Sequence, residues 1–201
     1  MSVATTDTAQ RRRELTEVAA RVIASKGYAG ARLADIADEA GVSIGLLQHY
    51  FRSRDVLMRE AFSLVWSRQL DELASIVSVD ASAVGRLETV LTWLFSDDRI
   101  TTEAECSLTL EYWMTATRDP ALREESRRTY LCWRETLQRL FEDGVASGEF
   151  HPRMPLDEAA DGMLALTEGL MIRLLLRHPE IDPAGVRAVM RNHAAAVLGF
   201  D

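Results

Sequence analysis

Cysteine, proline and glycine are all scarce in this chain, at 2, 5 and 11 of 201 residues. The two cysteines, Cys106 and Cys132, stand far apart without metal-ligand spacing. They read as buried apolar side chains in a reducing compartment, with a disulfide or redox sensor as the alternative. No apolar run approaches the roughly 18 residues of a membrane span. The N-terminus, MSVATTDTAQRRR, has no apolar stretch after its charges, so it does not read as a secretory signal and a cytoplasmic location is expected. The four histidines (His49, His151, His178 and His193) are scattered, and no glycine-rich phosphate loop follows a strand. No metal site, cofactor or catalytic set is therefore expected, and a helical enzyme is only the distant alternative. Neither an internal repeat nor a low-complexity linker is visible.

What the chain does contain is apolar residues at helical spacing almost throughout, with no convincing period-two strand. Leu15, Val18, Ala19, Val22 and Ile23 form one stripe of a first helix that stops at Lys26-Gly27. Leu33, Ile36, Ala37 and Ala40 make a short second helix ending at Gly41. Ser43 caps a third, with Leu47 and Phe51 facing inward. A fourth runs from Ser53 or Arg54 to about Leu73, with Leu57, Ala61, Leu64 and Val65 repeating. Val84, Leu87, Leu91, Leu94 and Phe95 mark the next, and Thr102-Glu103-Ala104-Glu105 is a capping-box pattern that opens another. Asp119-Pro120 and Asp182-Pro183 each place an N-cap before a proline at the first helical position. The run Leu156 to Leu176 is apolar enough to be buried on more than one side. The expectation is an all-α protein of about nine helices.

Net charge is −8, and it divides unevenly. Residues 1–60 sum to +1 and open with Arg11, Arg12 and Arg13; residues 61–201 sum to −9. That asymmetry suits a molecule with one face on phosphates.

Residues 33–57, LADIADEAGVSIGLLQHYFRSRDVL, carry the most function. Two short helices joined by a tight turn form a helix-turn-helix, whose second helix can enter a DNA major groove. Gly41 stands where that turn calls for positive φ. With Leu47 and Phe51 inward, Ile44, Gly45, Gln48 and His49 fall outward, flanked by Leu46 and Tyr50. Ile44 and Leu46 suit thymine methyls, and Gln48 can read adenine bidentately. His49 and Tyr50 can bond phosphates or base edges, while Ser43 and Arg54 sit where a phosphate would fix the register.

Gly27, Tyr28, Ile36, Ala37, Ala40, Gly41, Val42, Ser43, Gly45, Leu47, Tyr50, Phe51, Arg54 and Leu57, in that spacing, resemble the N-terminal motif of the TetR family of repressors. The chain departs from that pattern twice. Gln48 stands where the family usually has a tyrosine on the DNA backbone, and Ala31-Arg32 replaces the Thr/Ser that opens helix two. Arg32 can still reach a phosphate, but the side-chain cap is lost. The resemblance implies a homodimer on a palindromic DNA operator, released by a small-molecule inducer, with no membrane association. A constitutive DNA binder without ligand control is the alternative. Each subunit would hold a three-helix DNA-binding head (9–55, with the helix-turn-helix at 32–51) and a larger helical domain for ligand binding and dimerisation (56–201).

Glu111-Tyr112-Trp113, Arg118-Asp119-Pro120, Trp133-Arg134, Gly148-Glu149-Phe150 and Glu168-Gly169-Leu170 are similar to the C-terminal domain of choline-responsive, betaine-pathway TetR repressors. An aromatic cage with a carboxylate would suit a quaternary amine. Trp113, Trp133 and Glu168 are the candidates for the ligand site, with core packing for the tryptophans and pairing of Glu168 to Arg173 or Arg177 as alternatives. The last two helices are the dimer candidates, through Leu164, Met171, Val189 and Val197, any of which can instead be intramolecular core.

Overall fold

The computed structural model describes residues 3–96 and 103–200. Among the described residues there are nine helices and no strand. They are α1 (Val3–Gly30), α2 (Leu33–Ala40), α3 (Ile44–Phe51), α4 (Arg54–Val77), α5 (Ala83–Leu94), α6 (Glu103–Ala116), α7 (Pro120–Ala146), α8 (Leu156–Leu175) and α9 (Pro183–Leu198). None of these is long and apolar enough to cross a membrane.

Most of the expected punctuation is where the helices begin and end. Asp119 Oδ1 accepts from the N–H groups of Ala121 (2.8 Å) and Leu122 (3.3 Å), opening α7. Asp182 accepts from Gly185 N–H at 2.6 Å and opens α9. Gly41 takes φ 64°, ψ 34° at the end of α2, and Val42 N–H reaches back to Ala37 O at 2.9 Å. The capping pattern at 102–105 begins at Thr102, which lies outside the described residues. At Gly27 the backbone does leave helical geometry, with φ 73°, ψ 160°, but the helix resumes to Gly30 instead of stopping. A Cβ there would meet Glu111 Oε1 at 3.2 Å in a conformation L side chains rarely take. The fourth helix also runs past Leu73 to Val77, because both residues are buried.

The chain divides into two compact units: Met1–Arg68 with Ser107–Arg123, and Gln69–Cys106 with Glu124–Asp201. This division differs from one drawn between residues 55 and 56. Leu57, Met58, Ala61 and Phe62 of α4 belong to the first unit's core, with Leu15, Ala19 and Ile23 of α1. So do Tyr112 and Ala116 of α6 and Leu122 of α7. The inward stripe of α4 thus includes Met58 and Phe62, while Leu64 and Val65 are only half-buried. The second unit packs Leu73, Leu87, Leu91, Leu137, Phe141, Met163, Val186 and Met190 into one cluster. Ala159, Ala160 and Ala194 are fully covered in α8 and α9, as small side chains allow where backbones approach closely. The cysteines are not both buried as expected: Cys132 is exposed and Cys106 half-buried.

Candidate nucleic-acid interface

At eight residues, α3 is far shorter than the roughly 12–15 an isolated helix needs in water, so neighbours must hold it. Leu47 is 0% exposed and Phe51 1%, both within the first unit's core. Ser43 Oγ accepts from Leu46 N–H at 3.2 Å and caps the helix. Burying that one stripe turns the opposite face outward. Ser43, Gly45, Gln48 and His49 are exposed, Ile44 is 43% exposed, and Leu46 and Tyr50 are half-buried. The Tyr50 ring packs against the core cluster, and the His49 ring meets it edge-on at 5.6 Å.

One departure from the family motif, at Arg32, has a structural consequence. Arg32 offers α2 no side-chain cap, yet the missing bond is replaced from the other side: Asp35 Oδ2 accepts from Arg32 N–H at 2.9 Å. Lys26 Nζ bonds the same carboxylate at 2.6 Å. Lys26 first, and then the Arg32 N–H, hold Asp35 below the usual carboxylate range. The Arg32 side chain stays exposed. Arg54, expected on a phosphate, donates from Nε to Ala31 O at 3.1 Å, and so also ties the start of α4 to the junction before α2.

The basic triplet is not one open patch. Arg11 pairs with Glu14 at 2.8 Å, and Arg13 lies 3.6 Å from Glu17. Arg12 turns inward. Its Nε bonds Glu60 at 2.8 Å, Nη2 bonds the same carboxylate, Nη1 donates to Tyr50 O, and the guanidinium stacks 4.7 Å above Phe51. The hydrogen bonds to Glu60, and then that carboxylate's charge, raise the Arg12 pKa against the opposing effect of burial. Helical spacing carried the signal, since Arg12 sits three and seven residues before Leu15 and Ala19, on the buried stripe. Its partner, 48 positions away, left none.

The three residues expected at a ligand site are divided between the two units. Trp113 packs against the first unit's core, whereas Trp133 and Glu168 belong to the second unit. There Trp133 stacks on Trp93 with ring centroids 5.9 Å apart at 22°. Trp93 Nε1 donates to Glu72 at 2.8 Å. Trp133 is 8% exposed, and among the described residues its indole N–H meets no acceptor. One turn earlier, Tyr130 donates to Asp161 at 2.7 Å. Burial first, then that bond and the nearby charges of Asp161 and Glu168, push the phenol up to about 12. Glu168 is half-buried, and burial raises its pKa.

The expected dimer residues also separate. Leu164 and Val197 are packed in the second unit's own core at 8% and 7% exposure. Both therefore take part in intramolecular packing, the alternative expected for them, and have little side-chain area left to bury. Met171 is half-buried, and Val189 stands 48% exposed.

Residues 15–61 match the family described as bacterial regulatory proteins, tetR family, and residues 83–199 match the C-terminal domain of BetI-type transcriptional repressors. The HTH-type transcriptional regulator BetI of Escherichia coli is 28% identical over 196 residues, covering 95% of each chain. PksA of Bacillus subtilis, likewise an HTH-type transcriptional regulator, is 25% identical over 207 residues, covering 97% of this chain and 93% of that one. A transcriptional regulator from Saccharomonospora viridis, solved in complex with choline, superposes with a TM-score of 0.82 at 26% identity, covering 92% and 95% of the two chains.

Proposed function

The chain belongs to the TetR family of bacterial transcriptional regulators, repressor-type and BetI-like and not enzymes, and from that premise we propose that it binds a palindromic operator as a homodimer and is released by a small-molecule inducer. The outward face of α3 carries this reading. A 43%-exposed Ile44 beside Gln48 is poorly suited to water but matches a thymine methyl next to an adenine edge. Ser43, at the positive end of the α3 dipole, suits a phosphate, and Arg32 and Arg54 flank it. Gly45, Leu46, His49 and Tyr50 complete the surface. Two copies would present two such helices to major grooves about one helical turn apart, roughly 34 Å. Val189, with Met171, offers apolar surface to a second copy.

For the inducer, the S. viridis regulator's complex with choline supports an organic cation. Here Tyr130 lies close enough to a half-buried Glu168 to feel its charge, and Trp133, three residues further along α7, stacks on Trp93; aromatic faces and a carboxylate suit a quaternary ammonium. Trp133 N–H would take the ligand's oxygen. Binding would shift the population of dimers away from the spacing that fits DNA.

The test is selection of duplexes from a random-sequence pool by the full-length chain. An inverted repeat bound by two chains, with affinity falling steeply as salt rises, is the expected result. Gln48→Ala should change the preferred base at one position of each half-site and leave the salt dependence alone. No enrichment above the starting pool overturns DNA recognition; an unchanged preference overturns the role of Gln48. Added choline should release the duplex from the wild type and not from Glu168→Gln. Retention by the wild type overturns the quaternary-amine assignment.

A further inference from the structure

The C-terminal end of α3 is held from an unexpected direction. The helix stops at Arg52, whose φ of 49° lies where L side chains rarely sit, and its last carbonyls need donors from elsewhere. Arg12 of α1 provides one, bonding Tyr50 O at the negative end of the α3 dipole. The same guanidinium lies over the ring of Phe51, which anchors α3 in the core, and grips Glu60 of α4 through two nitrogens. One side chain therefore joins α1, α3 and α4 around the helix that carries Gln48 and His49.

We propose that Arg12 is a positioning residue for DNA recognition: it sets the pose of α3 and does not itself contact DNA. This rests on the DNA-binding reading above. The chemistry calls for arginine. A planar fork can bond a carboxylate twice, stack on a ring and still donate to a carbonyl, whereas a lysine ammonium is a point charge on a flexible stem. Glu60 and Arg12 are both partly hydrated, with 35% and 38% of their side-chain surface exposed. Solvent screens their charges, so directed bonds and stacking matter more than net attraction. The rival role is a direct phosphate contact, as a residue of a basic N-terminal triplet would make.

The two roles separate by what each variant loses. A lost phosphate contact weakens every duplex alike and lowers the salt dependence by about one ion. A loosened α3 weakens the selected duplex while non-specific attraction persists. The experiment uses the full-length chain with Arg12→Lys, Glu60→Gln and, as a control, Arg13→Ala, whose arginine is exposed. Binding is measured to the duplex enriched by the wild type and to an unrelated duplex of equal length.

Arg12→Lys is expected to lose about tenfold or more on the enriched duplex. Binding to the unrelated duplex should stay within about twofold. Glu60→Gln should move in the same direction by less, and Arg13→Ala should leave the ratio of the two affinities unchanged. Amide exchange in α3 should quicken in Arg12→Lys while the melting temperature holds. Equal weakening on both duplexes with a shallower salt dependence assigns Arg12 to a phosphate and overturns the positioning role, as does unchanged affinity. If the wild type enriches no duplex, the DNA-binding reading falls and this inference with it.

Discussion

Leu47→Ala tests most directly how the recognition helix is held. Leu47 and Phe51 are the only fully buried side chains of the eight-residue α3. Truncating a buried leucine removes its transfer free energy and leaves a cavity, typically about 3 kcal/mol in all. The whole chain should tolerate that, since domains are ordinarily stable by about 5–15 kcal/mol. The local effect is larger in proportion, because burying a leucine and a phenylalanine contributes only about 3–6 kcal/mol of docking energy to α3. Hydrogen exchange followed residue by residue should therefore show α3 protection falling about 100-fold, with α2 and the start of α4 affected less. Amides of α8 and α9, whose side chains pack in the second unit, should be unchanged. Affinity for the enriched duplex should drop in parallel. Ile44→Ala is the partner measurement: at 43% exposure it should leave exchange unaltered yet weaken the enriched duplex. If both variants lose α3 protection alike, or if Leu47→Ala loosens the second unit equally, the assignment of inward and outward faces is refuted.

Gly199 and Gly148 both have positive φ, 68° and 77°, but differ in surroundings. A Cβ at Gly199 would fall 2.1 Å from His151 O, whereas nothing lies within 4 Å of one at Gly148. His151 cannot easily yield, since its N–H bonds Leu198 O at 2.7 Å and Arg153 N–H bonds Val197 O at 2.9 Å. Gly148→Ala should cost about 1 kcal/mol, the left-handed conformation alone. Gly199→Ala should cost about 3 kcal/mol or more, with melting temperatures lower by roughly 3 °C and 10 °C respectively. Equal drops in calorimetry would refute the close approach. Glu168→Gln has a pH signature: burial raises the folded-state pKa, so the wild-type carboxyl's contribution to stability is complete below the ordinary glutamate value and is lost as pH rises through the raised one. The variant should thus be more stable than wild type at pH 7, with the difference closing near pH 4 in urea titrations. A gain that grows on acidification would contradict the desolvation argument.

Much of the interface could be read before any fold was known. The turn at Gly41, the cap at Ser43 and the inward pair Leu47 and Phe51 depend on contacts within about one helical turn. The proline-marked starts of α7 and α9 do too, and each was expected. Partners remote in sequence left no such signal. Arg54 Nε also bonds Ala31 O, 23 positions away. Trp113 and Trp133 were grouped by residue type and belong to different units.

By itself, then, the sequence determined the helices, the ends marked by caps and which face of α3 each residue takes, since helical period and capping are local physics written at three- and four-residue spacing; the ends of α1 and α4 it did not. Tertiary structure alone decided which apolar faces are already satisfied within the subunit, as for Leu164 and Val197. It also decided that the middle arginine of a basic triplet turns inward to the end of α3. Those outcomes depend on which elements meet, and the carboxylate that holds Arg12 comes near it only when α1 and α4 pack.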